Sequence, residues 1–397
     1  MLNIDFYQEA LLEPDFQFRA FSPLTSKPEA VFLTGATGFL GAHLLSELLE
    51  QTNAKIYCLV RNNAHLTERQ QRLKSTLQFY TLWEDEFETR IIPVAGDLSK
   101  PWMGIPQLEF KALAEQIEVI YHSAAFVNFN RPYSVLKAVN VQGVREILRL
   151  AMEITTKPLH FVSTTAIFSS QTSSLNNRVM ETDFPPPNEL RNGYNQSKWV
   201  VEKLLANARE RGFPVSIYRP PGIMGHSQTG IIGNLDDDPW CTLIKGCIQL
   251  GSFPNLDITV AFVPVDYVSR AMIYLSLQNT STGKVFHLVN PHPPVAWKDL
   301  FDLIQAIGYH LVETPYDEWR AQIKQHAMNN PQNKLDAHLF LLAQSQIFAA
   351  KPHFDARHTL QGLAGSSIEC PQVDTRLISK YFSYFHRSNF ISIPCRT

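Results

Sequence analysis

One short segment constrains the fold more than any other. The apolar run Ala30–Thr34 passes into Thr34-Gly35-Ala36-Thr37-Gly38-Phe39-Leu40-Gly41, and Phe39–Gln51 continues with apolar residues at helical spacing. The glycines follow a GxxGxxG pattern between a strand and a helix. Gly35 suits a tight turn, Gly38 lets a backbone approach a pyrophosphate, and Gly41 lets the helix pack close to the strand. Phosphates at such a turn sit on the helix N-terminus, where unpaired N–H groups and the helix dipole favour negative charge. The alternative is a glycine-rich turn with no ligand. The strand–turn–helix context favours the nucleotide reading, with Thr34, Gly35, Thr37, Gly38, Phe39 and Leu40 as the contacting residues.

The chain beyond this unit alternates in the same way. Lys55–Val60, Ile91–Ala95, Val119–His122, Leu159–Ser163 and Val215–Tyr218 read as buried strands. Ala64–Leu82, Tyr133–Ile154 and Ser197–Glu210 read as helices. Such alternation implies right-handed crossovers and a parallel sheet covered on both faces. The predicted fold is therefore α/β, a Rossmann-type doubly wound parallel sheet over residues 30–223. Residues 1–29 form a polar lead-in, where Pro14, Pro23 and Pro28 argue against a long helix. After about residue 224 the regularity fades, although Val260–Val265, Val268–Leu277 and Lys284–Val289 keep strand or helix patterns. Trp297–Ile307, Tyr316–Ala327 and Asp374–Phe382 read as helices. Residues 224–397 are expected to form mainly a smaller, mostly helical substrate lobe, with some segments returning to the sheet.

Composition excludes several classes of function. The 397 residues are 45% hydrophobic and 18% charged, with a net charge of −2, so no nucleic-acid surface is indicated. The first residues are acidic where a signal peptide would be basic, and no apolar stretch is long enough for a membrane span. The five cysteines (Cys58, Cys241, Cys247, Cys370 and Cys395) include no CxxC pair, so a reducing cytoplasm is expected, with neither a zinc site nor a disulfide scaffold. Asp236-Asp237-Asp238 reads as a solvated loop rather than a metal site, and His122 as a packed histidine.

The second strand carries the choice of dinucleotide. NAD sites place a carboxylate at its end to bind the ribose 2′-hydroxyl. Here Cys58-Leu59-Val60 runs into Arg61, and a guanidinium suits a 2′-phosphate. Arg72, on the following helix, offers a second contact; for both arginines the alternative is a surface charge. NADPH is expected over NADH. Gly96-Asp97-Leu98 follows the third strand, where Asp97 is placed to accept from adenine, and Ser123-Ala124-Ala125 after the fourth leaves room for the cofactor.

Three residues are the candidates for the chemistry, the alternatives being a partly exposed aromatic with a solvated lysine for the Tyr/Lys pair and turn chemistry at a strand end for the hydroxyl. Tyr194 and Lys198, in Gly193-Tyr194-Asn195-Gln196-Ser197-Lys198, share one face at the start of a helix. An ammonium near a phenol is expected to lower the tyrosine pKa, and the phenol then exchanges a proton with a carbonyl oxygen during hydride transfer. Thr164, at the end of the fifth strand, is the hydroxyl chosen to donate to the same oxygen, with Ser163 and Thr165 as lesser candidates. Asn140 is read either as part of a proton relay beside the cofactor or as a structural residue.

TGATGFLG, CLVR, GDL, HSAA, AVNVQG, VST, YNQSK and YRPPGIMG follow one another in this order. Together they resemble an extended short-chain dehydrogenase/reductase, and within it the thioester reductase domains that terminate nonribosomal peptide synthetases and polyketide synthases. EALLEPDF resembles the segment that opens such domains after a carrier protein, and the ending from CPQVDTRL resembles their closing helix. The resemblance implies that Thr164, Tyr194 and Lys198 are catalytic. It adds Pro220, Gly222 and Ile223 to an NADPH site made of Thr34–Gly41, Arg61, Arg72 and Asp97, with Lys198 also holding the nicotinamide ribose. It implies reductive release of an acyl or peptidyl thioester from the phosphopantetheine arm of a carrier protein, as aldehyde or alcohol. No carrier segment or adenylation motif is read in the chain, so the carrier is expected to be separate, or the chain to be cut from a larger one. The competing expectations are a fatty acyl-CoA reductase, an NAD-dependent sugar-nucleotide epimerase or dehydratase, and a noncatalytic NADP-binding regulator.

Overall fold

The computed structural model describes residues 4–18, 27–61, 65–168, 178–190, 192–260, 262–329 and 352–394. The chain divides into two compact units. The first comprises Met1–Pro221, Asp266–Val289 and Pro352–Ile368; the second comprises Gly222–Val265, Asn290–Lys351 and Glu369–Thr397.

The first unit is built on seven strands: β1 Ala30–Thr34, β2 Lys55–Val60, β3 Ile91–Ala95, β4 Val119–His122, β5 Leu159–Val162, β6 Val215–Arg219 and β7 Val285–His287. They form one sheet in the order β7-β6-β5-β4-β1-β2-β3, and every neighbouring pair is parallel. The fold is thus the doubly wound α/β sheet that the alternation implied. β4, β5 and β6 are buried at every position, their polar members His122, His160, Ser216 and Arg219 included. The strand order reverses between β1 and β4, and in open α/β sheets ligands lie outside the carboxyl ends of the strands at that switch point.

The helices of this unit are α1 Phe6–Glu9, α2 Phe39–Gln51, α3 Leu66–Phe79, α4 Gln107–Gln116, α5 Tyr133–Lys137, α6 Gly143–Met152 and α7 Gly193–Glu210. Later in the chain, Val265–Ser276 (all but its first residue) and Arg357–Leu363 join them. Three differ from expectation. The helix read as Tyr133–Ile154 is α5, a π-helical turn over Ala138–Gln142, and α6. Asn140 lies in that turn, and such insertions re-aim side chains. α7 starts at Gly193 rather than Ser197, because Asn192 caps it: its side chain accepts from the Asn195 N–H at 2.8 Å. α3 is shorter than Ala64–Leu82; Ala64 lies outside the described residues, and Thr81 turns the chain with φ of 60°.

The lead-in is bound to the sheet domain. Ala10, Leu12 and Phe16 are buried in its core. Tyr133 Oη and Lys137 Nζ both donate to the Glu9 carboxylate at 2.8 Å. The Arg145 guanidinium pairs with Glu13 at 2.5 Å and donates to the carbonyls of Glu9 and Leu11, each at 2.9 Å. Residues 5–16 therefore form a strap over α5 and α6. Its only helix is a single turn capped by Asp5.

The second unit contains the helices Pro239–Leu250, Trp297–Ala306, Tyr316–Asn329 and Thr375–Arg387. Three short strand pairs accompany them: Ile223–Met224 with Val263–Pro264, Ser252–Pro254 with Val312–Thr314, and Thr259–Val260 with Val295–Ala296. The segment read as Val260–Val265 is thus two strands, with Ala261 outside the described residues. Phe253 stacks on Phe301 at 4.2 Å, and the Trp297 indole donates to Pro254 O at 2.7 Å. Asp238, from the triple-aspartate run, caps Pro239–Leu250 by accepting from the Cys241 N–H at 2.9 Å. Among the described residues no cluster of His, Cys, Asp or Glu is arranged to hold a metal ion, and no helix is long and apolar enough to cross a membrane.

Candidate active site

The glycine turn has the geometry its spacing requires. Gly35 has φ of +84°, and a Cβ there would sit 2.8 Å from the Ala124 nitrogen. A Cβ on Gly41 would lie 1.9 Å from Gly35 O, so α2 packs against the turn only because the side chain is missing. Gly38 donates to Gly35 O at 2.8 Å and caps α2 without a side chain. The first-turn N–H groups of α2, including Phe39 and Leu40, therefore have no side-chain cap and suit an anion. Thr34 Oγ1 accepts from the Ala124 N–H at 3.2 Å and bonds His122 Nδ1 at 2.7 Å. These bonds fasten the ends of β1 and β4 together below Ser123-Ala124-Ala125, which stay partly exposed. A dinucleotide fits this turn: the backbone is bare and the helix end is uncapped.

Arg61, exposed at the end of β2, is joined to α3 by Arg72, whose Nη1 donates to the Arg61 carbonyl at 3.0 Å. Asp97, after β3, is half-buried, and its Oδ1 accepts from the Ser99 N–H at 3.0 Å and the Ser99 hydroxyl at 2.7 Å. The Ser99 N–H holds the Asp97 carboxyl below its usual range, and Lys100 and Arg61 add to the effect. Leu98 is buried against Gly143 of α6. Pro220 accepts from the Thr165 N–H at 3.0 Å in the first unit. Gly222 and Ile223 belong to the second unit, where Ile223 pairs with Val263.

Tyr194, Lys198 and Glu202 follow one another at i, i+4 and i+8 along α7, so they share a face. Lys198 is buried, and its Nζ donates to Val162 O, the last residue of β5, at 2.8 Å. The ammonium also lies 4.7 Å from the Phe161 ring centre. Burial lowers the Lys198 pKa to about 8, and Glu202 opposes that shift. His122, stacked on Phe161, is pushed down to about 3 by burial and by Lys198, and so stays neutral.

The expected effect of Lys198 on Tyr194 is corrected by the structure. Burial raises the Tyr194 phenol well above its ordinary value instead of lowering it. The reason is desolvation: the phenol is almost wholly buried, and the ammonium is held by a backbone carbonyl. Tyr194 is therefore protonated at neutral pH and is equipped to donate.

Of the hydroxyls that end β5, Thr164 Oγ1 accepts from the Ala166 N–H at 3.1 Å, which leaves its own hydrogen to donate. Ser163 is committed elsewhere, donating to Glu202. Asn140 accepts from the Phe126 N–H at 2.7 Å and donates to Phe126 O at 3.1 Å and to Ser197 Oγ at 2.9 Å. Ser197 in turn donates to Tyr194 O at 2.7 Å. Both amide hydrogens of Asn140 are thus engaged in holding the loop after β4 and the first turn of α7.

Sequence reasoning passed over Glu202 and Arg219. They form a buried ion pair at 2.7 Å beneath Ser163, and Arg219 also donates to the carbonyls of Glu181 and Asp183. The available signal was the i+4 step from Lys198 to Glu202.

A family model described as male sterility protein, an NAD-binding family, matches residues 33–272. A linear gramicidin synthase polypeptide of Brevibacillus parabrevis is 39% identical over 375 residues; the match covers 94% of this chain and 7% of that far longer protein. The terminal R domain from the myxalamid PKS-NRPS biosynthetic pathway superposes with a TM-score of 0.92 at 39% identity, covering 98% of this chain and 99% of that one. A thiolation-reductase di-domain from an archaeal nonribosomal peptide synthetase superposes with a TM-score of 0.75 at 25% identity, covering 97% and 80% of the two chains.

Proposed function

This chain belongs to the male sterility protein family of extended short-chain dehydrogenases/reductases, and within it to the terminal reductase domains of nonribosomal peptide synthetases and polyketide synthases; on that premise we propose that it uses NADPH to release an acyl or peptidyl thioester from a carrier-protein phosphopantetheine arm, as aldehyde or alcohol. The observation that carries the reading is the Lys198–Val162 hydrogen bond of 2.8 Å. It ties the helix that bears Tyr194 to the strand end that bears Thr164.

When bound, the reduced nicotinamide supplies a hydride to the thioester carbonyl carbon. Tyr194, kept protonated by burial, donates to the carbonyl oxygen as charge develops there. Thr164 donates its free hydroxyl hydrogen to the same oxygen. Lys198 adds a buried positive charge nearby and would hold the nicotinamide ribose. Collapse of the resulting hemithioacetal expels the pantetheine thiol. The Thr34–Gly41 turn would hold the cofactor, with Ser123-Ala124-Ala125 and Asp97 as further residues that would line it. Arg61, joined to Arg72, supports the 2′-phosphate and hence NADPH. The thiolation-reductase relative supports a carrier protein as partner.

The test is cofactor oxidation at 340 nm with an acyl-carrier, an acyl-CoA and a nucleotide sugar in parallel, with NADPH and NADH. Turnover of the acyl-carrier with NADPH is expected. Preference for acyl-CoA identifies a fatty acyl-CoA reductase, and turnover of the sugar alone overturns the reading.

A further inference from the structure

Three large apolar side chains stand exposed within four consecutive positions of the loop after β4. Phe126 is 40% exposed, Val127 56% and Phe129 47%. Holding apolar surface in water is unfavourable, and a free loop would fold such residues under. This loop is held open. Asn140 clamps both backbone polar groups of Phe126. Asn128 Oδ1 accepts from the Asn130 N–H at 3.0 Å and closes a turn over residues 128–130, around Phe129. Gly193 packs on the backbone of residues 131–133 so closely that a Cβ would lie 2.4 Å from the Tyr133 nitrogen. The Phe129 ring meets the Tyr194 ring edge to face, with centres 5.2 Å apart.

We propose that Phe126, Val127 and Phe129 form the wall on which the acyl chain of the substrate lies, so that the site selects thioesters whose acyl group is apolar next to the carbonyl. This rests on the thioester reductase reading. A carbonyl oxygen that accepts from the Tyr194 hydroxyl brings both of its substituents near Phe129. One substituent is the pantetheine arm, which is rich in amides and needs polar partners. The other is the acyl chain, and an apolar chain matches a surface of two phenyl rings and a valine. Burial of each further methylene on that wall strengthens binding about three- to fourfold.

The experiment measures binding of S-butyl, S-hexyl and S-octyl pantetheine to the full chain by calorimetry in the presence of NADP⁺. In the native protein the affinity rises about three- to fourfold per methylene. In the Phe126→Ser/Phe129→Ser variant the slope flattens toward no dependence on chain length, while NADP⁺ affinity is unchanged; Phe129→Leu keeps the slope. If the double variant does not fold, Val127→Asp, at the most exposed of the three positions, carries the same expectation. An equal slope in native and variant protein, or no slope in the native one, overturns the proposal. Turnover of octanoyl-pantetheine with NADPH is measured beside it. Turnover of the same octanoyl group on a carrier protein is measured as well; absence of turnover with both forms removes the thioester reductase reading, whereas the binding slope by itself decides whether the wall exists.

Discussion

Tyr194 and Lys198 sit one helical turn apart and are perturbed by the same cause, loss of water, in opposite directions. The tyrosine is kept as an acid, and the lysine is left with a pKa of about 8. Tyr194→Phe removes the donated proton and keeps the ring, so turnover is expected to fall by about 10²–10⁴-fold with cofactor affinity retained; near-normal kcat would remove Tyr194 from the chemistry. Lys198 loses its proton as pH rises through about 8, so kcat/KM is expected to decline above that value, and a pH profile of the native protein reads it directly. Stability moves the other way. A lysine depressed in the folded state carries its full penalty below about pH 8, and the penalty is relieved as pH rises from there to the unfolded value of 10.5. The native protein should therefore gain stability relative to Lys198→Met across that window, as measured by urea unfolding at several pH values. At the cofactor end, Arg61→Ala is expected to raise the KM for NADPH roughly 10- to 100-fold, the worth of a charge-assisted hydrogen bond, and to leave that for NADH nearly unchanged. Equal effects on both cofactors would remove the 2′-phosphate role.

Among the elements, the strap of residues 5–16 and the π-helical turn are the two that local pattern does not announce. The strap has too little helix to stand alone, and its order comes from what it touches: Tyr133 and Lys137 on α5, and Arg145 on α6. Arg145 is nearly buried, and its guanidinium serves three acceptors at once. Arg145→Ala is expected to cost about 1–3 kcal/mol of unfolding free energy, since it leaves the carbonyls of Glu9 and Leu11 and the Glu13 carboxylate without that donor. A loss within error in chemical denaturation would mean that the strap is held by its apolar residues alone. The π turn works by a different means. It aims Asn140 at both the Phe126 backbone and Ser197, and so holds the apolar loop and the first turn of α7 at once.

At the scale of the molecule, the first unit is assembled from three stretches of chain, and a buried polar knot fastens the later two to the earlier one. Glu181 accepts from the backbone of His287 at 3.0 Å and of Thr359 at 3.2 Å. His287 bonds Asp355 O at 2.6 Å and Arg219 at 3.2 Å. This knot ties β7 and the segment 352–368 to β6. Kinetics decides whether a carrier protein is the partner of the whole domain. A carrier-bound acyl group should be reduced with kcat/KM on the order of 10²-fold higher than the same group on a short pantetheine mimic, because docking of the carrier raises the effective concentration of the arm. Equal efficiency would reject carrier recognition.

The sequence alone determined what local chemistry dictates. β1, α2, β2, β3 and β4 were legible to the residue, because side-chain periodicity and the glycine spacing reflect backbone sterics and packing that act over a few positions. The placement of Tyr194 and Lys198 on one helical face was legible for the same reason. What only the tertiary structure decided depends on partners far along the chain. Asn140 makes a π turn because Phe126 and Ser197 are there to be bonded. A return of some later segment to the sheet was expected, but that residues 285–287 are the ones to pair, and with β6, rests on hydrogen bonds that no local pattern specifies. Phe126 and Phe129 are apolar enough for a core, yet they stand exposed because a clamp holds their loop open. The Tyr194 pKa shifts in the direction opposite to the one expected because desolvation is summed over the whole surrounding fold, whereas the Tyr-x-x-x-Lys spacing reports only on one neighbour.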